Sequence, residues 1–241
     1  MKAQSKVKRE GLILLLPFLF LTTFLTFKTF KEVNHQDISI LGSKLFSPDD
    51  LVANSSLNLP TPLIFVKTKY NEKELKKNLS LENISISRQI FPFGLKIQIK
   101  TRTPIAYGET LLKGEKIKGF IDQHGFFINA KFSDRENIKN LPTRVFGWEE
   151  EFRESLSKVL NSQKNNDLEF VTIKFSPNGF LTLEEKSLKT IILGIDPKII
   201  ETQLQIIVDI KNQVSDNNIL KKIENIDLTD PNNPKIKVFK P

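Results

Sequence analysis

The stretch ISISRQIFPFGLKIQIKTRTPIA, residues 84–106, decides how the middle of this 241-residue chain folds. Isoleucine alternates with serine from Ile84 to Ser87, and apolar residues alternate with polar ones from Leu95 to Ile99, as in half-buried strands. The sequence Phe91-Pro92-Phe93-Gly94 between them is typical of a turn. We therefore predict a β-hairpin with one apolar face.

The residues before this hairpin predict one strand and two helices. Ile38 and Ile40 alternate with polar residues, as in a strand. Ser47-Pro48-Asp49-Asp50 combines a capping serine, a proline suited to the first helical position and two acids that complement the helix dipole. Asn71 is predicted to cap a second helix, with Glu74 reaching back to the Asn71 backbone. The predicted order from residue 38 to residue 99 is strand, helix, helix, strand, strand.

The N-terminal residues predict a membrane anchor. A basic arm, residues 1–10, precedes an uncharged run over residues 11–27, and Lys28 and Lys31 follow it. A helix over residues 11–30 is about 30 Å long, which matches one hydrocarbon core. The excess of basic residues before the run places the N-terminus in the cytoplasm. The anchor prediction rests on Gly11, Leu12, Leu14, Phe18, Phe20, Phe24 and Phe27.

A cleaved signal peptide and a buried core helix are the alternatives to an anchor. A signal peptide ends in small residues, whereas this run ends in Leu25-Thr26-Phe27-Lys28. Residues 31–36 then form a polar connector. A transmembrane anchor remains the favoured interpretation of the run.

The composition of the chain argues against several classes of function. Cysteine is absent, so thiol chemistry is excluded. Only two histidines occur, His35 and His124, which leaves few residues for a histidine-rich metal site or a Ser–His–Asp catalytic triad. Residues 1–10 supply three of the eight net positive charges, and the remaining five are spread through sequence of mixed sign without a dense basic stripe, which argues against nucleic-acid binding. We expect no enzyme activity, no cofactor and no small-molecule substrate.

The second half of the chain predicts a β-rich domain with two helices. A hairpin is expected over residues 117–128, turning at Asp122 and Gly125. A helix is predicted from Trp148, with Phe152 and Leu156 on its apolar face, and a longer one after Asp196-Pro197. Three strands lie between these helices, and a last strand is expected over residues 235–239, where Ile236 and Val238 should face the core.

The alternating lysines of the last strand admit two interpretations. Lys235 and Lys237 protect an edge strand from indiscriminate pairing. An uncovered edge also accepts a strand from a partner by β-augmentation. The residues alone do not decide between a protected edge strand and a binding site for a partner strand.

These motifs resemble the bacterial division family of FtsQ, called DivIB in Gram-positive species. Arg88 and Pro92 in the hairpin, followed by Arg102 and Pro104, match the family's pattern, although Thr101 stands where the family usually has glutamate. Ile226-Asp227-Leu228 resembles its terminal strand, although Thr229 and Asp230 replace the usual arginine and tyrosine.

The resemblance implies an α+β architecture in which a transmembrane helix is followed by a POTRA module, residues 37–106, and an FtsQ-type β domain, residues 107–241. It implies a non-enzymatic scaffold at the division septum, single-pass in the inner membrane with an extracytoplasmic ectodomain. The partners implied are FtsB-like and FtsL-like membrane proteins and other division proteins. The residues implied in partner binding are Ile226, Asp227, Leu228, Asp230, Lys235, Ile236, Lys237, Val238 and Phe239.

Two other functions remain open from the sequence. A POTRA module also occurs in envelope proteins that act as chaperones or in transport. A membrane-anchored envelope enzyme is the less favoured alternative, because no convergent set of acid, base or metal-binding residues is visible.

Overall fold

The computed structural model describes residues 2–112, 114–133, 138, 140–178, 180–213 and 222–239, with side chains from residue 15 onward except at residue 112. The chain divides into two compact units, Met1–Thr101 and Arg102–Pro241. The predicted boundary lay at residue 106; Pro104, which the prediction assigned to the first module, lies in the second unit.

The first unit begins with a long helix and continues as a small α+β module. Its three-stranded sheet has the order β2-β5-β4, with β2 parallel and β4 antiparallel to the central β5. This is the predicted strand-helix-helix-strand-strand order. The elements are α1 (Lys2–Phe30), β1 (Glu32–Val33), β2 (Ile38–Leu41), α2 (Pro48–Ala53), β3 (Thr61–Pro62), α3 (Thr68–Asn78), β4 (Asn83–Gln89) and β5 (Gly94–Lys100).

The alternation read in the sequence forms the core of this unit. Leu95, Ile97 and Ile99 of β5 are all buried, and so are Leu51 of α2 and Leu75 of α3. At the outer edge of β4 the Ile86 backbone N–H donates to Glu72 Oε1 of α3 at 2.8 Å. This backbone group is thus satisfied within the unit.

The two predicted helix starts in the first unit had different outcomes. Ser47 caps α2, as predicted, and Asp50 completes a capping box with it that was not predicted. The predicted start of the second helix at Asn71 was wrong, because α3 begins at Thr68 and Asn71 lies buried inside it, donating to the Lys67 carbonyl at 2.9 Å. Glu74 instead accepts hydrogen bonds from the N–H and hydroxyl of Ser56.

The predicted polar connector, residues 31–36, carries regular structure. Val33 is fully buried in β1, which pairs antiparallel with β3. A strand is predicted from alternating apolar and polar residues, and a polar segment with one buried side chain does not show this alternation.

The N-terminal helix α1 is 29 residues long and contains Pro17. Among the residues that the structure describes, no helix combines the length and apolar character needed to cross a membrane. The transmembrane helix at residues 11–30 therefore remains a prediction.

The second unit is a nine-stranded mixed sheet with two helices. The strand order is β14-β13-β12-β11-β10-β9-β6-β7-β8. The elements are β6 (Pro104–Leu112), β7 (Glu115–Asp122), β8 (Phe127–Asn129), β9 (Thr143–Trp148), α4 (Arg153–Asn165), β10 (Phe170–Phe175), β11 (Phe180–Glu185), β12 (Lys189–Gly194), α5 (Pro197–Gln213), β13 (Ile223–Asp227) and β14 (Lys235–Val238).

One continuous apolar core joins this sheet to its two helices. Leu156 and Val159 of α4 and Ile200 and Ile207 of α5 are fully buried, at the helical spacing that the sequence predicts. The core includes residues from β6 to β13 but none from β14. The predicted β-rich domain with two helices is confirmed in its element content.

The helix predicted from Trp148 begins later than expected. Trp148 is the last residue of β9 and pairs with Thr110 of β6, while α4 starts at Arg153. Its indole N–H donates to the Gly125 carbonyl at 2.8 Å, and its ring lies against Phe127. The pairing of β9 with β6 joins residues far apart in sequence, so the local apolar spacing of Trp148 with Phe152 does not reveal it.

Candidate functional site

The strands β13 and β14 form the C-terminal edge of the nine-stranded sheet. β13 is parallel to β12, with Ile226 opposite Ile191, and antiparallel to β14, with Ile226 opposite Ile236. Ile226 is completely buried, and the alternation that the sequence shows in β13 places it in the core. β14 is therefore held against the domain by a strand that is itself anchored in the core.

The turn between these strands is stabilised by side-chain hydrogen bonds. The Asp227 carboxylate accepts from the Thr229 N–H at 3.0 Å and from the Thr229 hydroxyl at 2.8 Å. These bonds, together with the charge of Lys235, hold the pKa of Asp227 below its usual value, although partial burial opposes the shift. Asp230 similarly accepts from the Asn232 N–H. The turn fixes where β14 begins.

A hydrogen bond from α5 holds the segment that follows β13. Gln203 is completely buried, and its amide donates to the Leu228 carbonyl at 2.6 Å. The Leu228 N–H in turn donates to the Ile192 carbonyl of β12 at 2.8 Å. The sequence did not predict this role of Gln203, because a polar residue on an apolar helix face does not reveal its hydrogen-bond partner.

All four residues of β14 are exposed. The Phe239 N–H donates inward to the Lys222 carbonyl at 2.8 Å. Because backbone groups of successive strand residues point to opposite sides, the N–H and C=O groups of Ile236 and Val238 point away from β13. No strand in the described part of the chain pairs with that outer side.

The prediction that Ile236 and Val238 face the core holds for their side of the sheet but not for their burial. They lie opposite the buried Ile226 and Ile223 and so occupy the core-facing side of the sheet, yet they remain 49% and 51% exposed. The buried cluster ends at β13, so β14 extends the apolar face past the core. Their side chains form an apolar strip on an open edge, and Phe239, also 51% exposed, follows it directly; we call these three residues the β14 edge.

Charged side chains border the β14 edge. Lys237 forms an ion pair with Glu224 at 2.8 Å, and Lys235 lies opposite Asp227 in the strand register. Lys189 Nζ lies 4.6 Å from the centroid of the Phe239 ring. Both lysines of β14 therefore face carboxylates across the strand pair while the apolar strip stays open.

The residues predicted for partner binding fall into two groups. Ile226 and Leu228 are fully buried and form part of the core. They therefore anchor β13 and the segment after it, and a partner cannot contact their side chains. The exposed or partly exposed group contains Asp227, Asp230, Lys235, Ile236, Lys237, Val238 and Phe239.

The residues of the predicted POTRA motif are divided between the two units. The Arg88 guanidinium donates to the Val66 carbonyl at 2.7 Å, ahead of α3, and Pro92 lies at the exposed tip of the β4–β5 hairpin. Arg102 pairs with Asp122 at 2.6 Å in the second unit, where Pro104 begins β6. The contacts of Arg88 and Arg102 stabilise the fold.

The predicted anchor residues are only partly within the described side chains. Phe18, Phe20 and Phe27 are each more than 60% exposed, and Phe24 is partly covered by Phe91, at 5.8 Å between ring centroids. The side chains of Gly11, Leu12 and Leu14 lie outside the described residues. Among the described residues, no three histidine, aspartate or glutamate side chains gather as a metal site would require.

The fold places the first unit in the POTRA class of β-α-α-β-β modules. Residues 33–102 match the family model of the FtsQ-type POTRA domain, which confirms for this domain the resemblance seen in the sequence. A search of curated proteins gave no match to the chain. A domain of this type supports a scaffold role in cell division through protein–protein contact.

Proposed function

We propose that this protein is a non-enzymatic, membrane-anchored scaffold of the cell-division machinery, and that the β14 edge receives a strand from a partner protein. The observation that carries the proposal is the open apolar edge of β14 in a chain with an FtsQ-type POTRA domain. The outward N–H and C=O groups of Ile236 and Val238 supply the main-chain bonds of β-augmentation.

The partner recognised at this edge is an FtsB-like protein, itself joined to an FtsL-like one. Its strand pairs with β14, while its apolar side chains cover Ile236, Val238 and Phe239. Lys235 and Lys237 make the opposite face of the strand basic, which favours partner strands with acidic or neutral residues at the facing positions. The complex links early and late division proteins and helps control septal peptidoglycan synthesis.

The α1 helix holds this scaffold at the membrane. Residues 11–30 form the proposed anchor and residues 1–10 the cytoplasmic arm, so that the two units lie on the extracytoplasmic side at the septum. The support for this arrangement is the uncharged run closed by Lys28 and Lys31. The POTRA module then lies near the bilayer.

Removal of the C-terminal strand tests the proposed partner site. A chain truncated after Asp230 is expected to fold, because the core contains no residue of β14. It should nevertheless lose co-purification with the FtsB-like partner. Trp148, the only tryptophan, lies in the second unit, so its fluorescence verifies that this unit is intact.

A matched pair of point variants sharpens this test. Ile236→Arg places a charge in the apolar strip and should weaken partner capture at least tenfold. Val171→Arg changes a residue of nearly equal exposure, 47%, on β10 of the same sheet and should leave capture unchanged. Undiminished capture by the truncated chain would overturn the proposed site.

A further inference from the structure

Large apolar side chains are exposed at the C-terminal end of α1 and in two segments of the first unit that contact this helix. Phe27 and Phe30 belong to α1, Ile64 and Phe65 to the turn before α3, and Phe91 to the tip of the β4–β5 hairpin. Every one of them is exposed, from 42% for Ile64 to 71% for Phe91. We call this set the aromatic collar.

Direct contacts hold the collar around the helix. The rings of Phe24 and Phe91 stack at 5.8 Å with an interplanar angle of 13°, and Phe30 meets Phe65 edge-on at 6.3 Å. The Leu63 N–H donates to the Lys31 carbonyl at 3.1 Å, which fixes the turn against the helix end. The collar is therefore a built surface and not a set of scattered side chains.

Two lysines lie at the level of the collar. Lys31 Nζ is 4.5 Å from the ring centroid of Phe93, and Lys28 Nζ lies about equally far from Phe24, Phe91 and Phe93, at 5.6, 6.0 and 5.8 Å. Neither lysine forms an ion pair among the described residues. Their charges are available to an anionic surface.

This combination matches the chemistry of a bilayer interface. Aromatic rings concentrate at headgroup depth, and lysines extend their ammonium groups towards lipid phosphates. The collar is also continuous with the exposed apolar surface of α1, where Phe18 and Phe20 lead towards it. A protein partner would need a complementary ring-shaped surface, whereas a lipid surface fits both the rings and the cations.

We propose that the aromatic collar seats the first unit directly on an anionic lipid surface, with Phe65 and Phe91 inserted at the interface and Lys28 and Lys31 at the lipid phosphates. The proposal rests on the membrane anchoring of α1 proposed above. It adds a second attachment, made by the folded module itself, which restricts how the module turns about its helix.

The absence of cysteine makes a site-specific test direct. Single cysteines replace Phe65, Phe91, Phe18 or Asn83 in the full chain, which is spin-labelled and reconstituted in vesicles of phosphatidylcholine with phosphatidylglycerol. Asn83 is the control because it is exposed at the other end of the seven-residue strand β4, about 20 Å from the hairpin tip. Label depth is measured by power saturation with oxygen and with a water-soluble nickel chelate.

We expect the labels at positions 65 and 91 to favour oxygen over nickel by several-fold and the label at position 83 to favour nickel. Combining Lys28→Gln with Lys31→Gln should move the position 91 label outward in anionic vesicles and leave it unchanged in pure phosphatidylcholine. A depth insensitive to this double change would overturn the role of the lysines.

The label at position 18 separates this proposal from the anchoring on which it rests. If position 18 is in lipid and position 91 is in water, the collar proposal fails while the anchor stands. If position 18 is in water, the anchor and the collar proposal both fail. A position 91 label that is shielded only when other membrane proteins are present would assign the collar to a protein partner and overturn the proposal.

Discussion

Arg102 and Asp122 form a buried ion pair at the start of the second unit. Their side chains are only 8% and 4% exposed and are joined at 2.6 Å. Asp122 also accepts from the N–H groups of His124 and Phe126, and the Arg102 guanidinium lies 3.7 Å from the Phe126 ring centroid. One carboxylate thus holds both the arginine and the β7–β8 turn.

Loss of this carboxylate is expected to destabilise the second unit strongly. Asp122→Ala leaves a buried arginine without its partner and two N–H groups without their acceptor, so we expect a loss of about 3–5 kcal/mol. The measurement is urea unfolding followed by Trp148 fluorescence. Glu169→Ala breaks the exposed pair with Lys186 in the same unit and should cost under about 1 kcal/mol; equal losses in the two variants would contradict this assignment.

At the scale of single residues, the sequence predicts local interactions and misses distant ones. The helix start at Ser47-Pro48-Asp49-Asp50, with Ser47 as its cap, lies within four consecutive residues and was predicted. Glu74 instead bonds Ser56, eighteen positions away, and this pairing depends on how the chain folds back. Arg102 was singled out by resemblance alone, and its partner Asp122 only as a turn residue.

At the scale of elements, Glu185 joins the β11–β12 turn to α5. Its carboxylate, 1% exposed, accepts from the N–H and hydroxyl of Ser187, from the Leu188 N–H, and from Lys211 of α5 at 3.1 Å. Burial raises the pKa of Glu185, but these hydrogen bonds outweigh burial and bring the pKa below its usual value. The charged form is therefore stabilised by folding.

This shift predicts acid sensitivity of the second unit. Because the folded-state pKa lies below the unfolded value of about 4.3, the contribution is complete above that pH and is lost as the pH falls through the folded-state pKa. Glu185→Gln should cost about 1–3 kcal/mol at pH 7 and flatten the acid limb of stability. Urea unfolding from pH 7 to pH 3 measures both effects, with the exposed neighbour variant Glu184→Gln as the control; an unchanged acid limb in Glu185→Gln would refute the assignment.

The elements that the sequence predicts well are those with a clear period. The hairpin β4–β5, the strands β10, β11 and β12, and helix α5 lie close to their predicted positions. The extent of β9 and the exposure of β14 were missed for one reason. Both depend on which strands pair and where the helices stop covering the sheet, and alternation within a strand does not specify either.

At the scale of the whole molecule, the structure combines an FtsQ-type POTRA domain with a second unit whose sheet ends in an open edge. In the first unit the Ile86 N–H at the outer edge of β4 is bonded to Glu72, whereas in the second unit the outward groups of β14 have no strand partner among the described residues. This difference supports the proposal that β14 is an edge available for assembly.

The most direct measurement of this function is the position of the protein in dividing cells. A fluorescent protein is fused to the N-terminus of the full chain, which the proposal places in the cytoplasm, so that the β14 edge stays free, and the cells are imaged through division. The account predicts a ring at mid-cell during constriction. A uniform membrane signal in every dividing cell would contradict it.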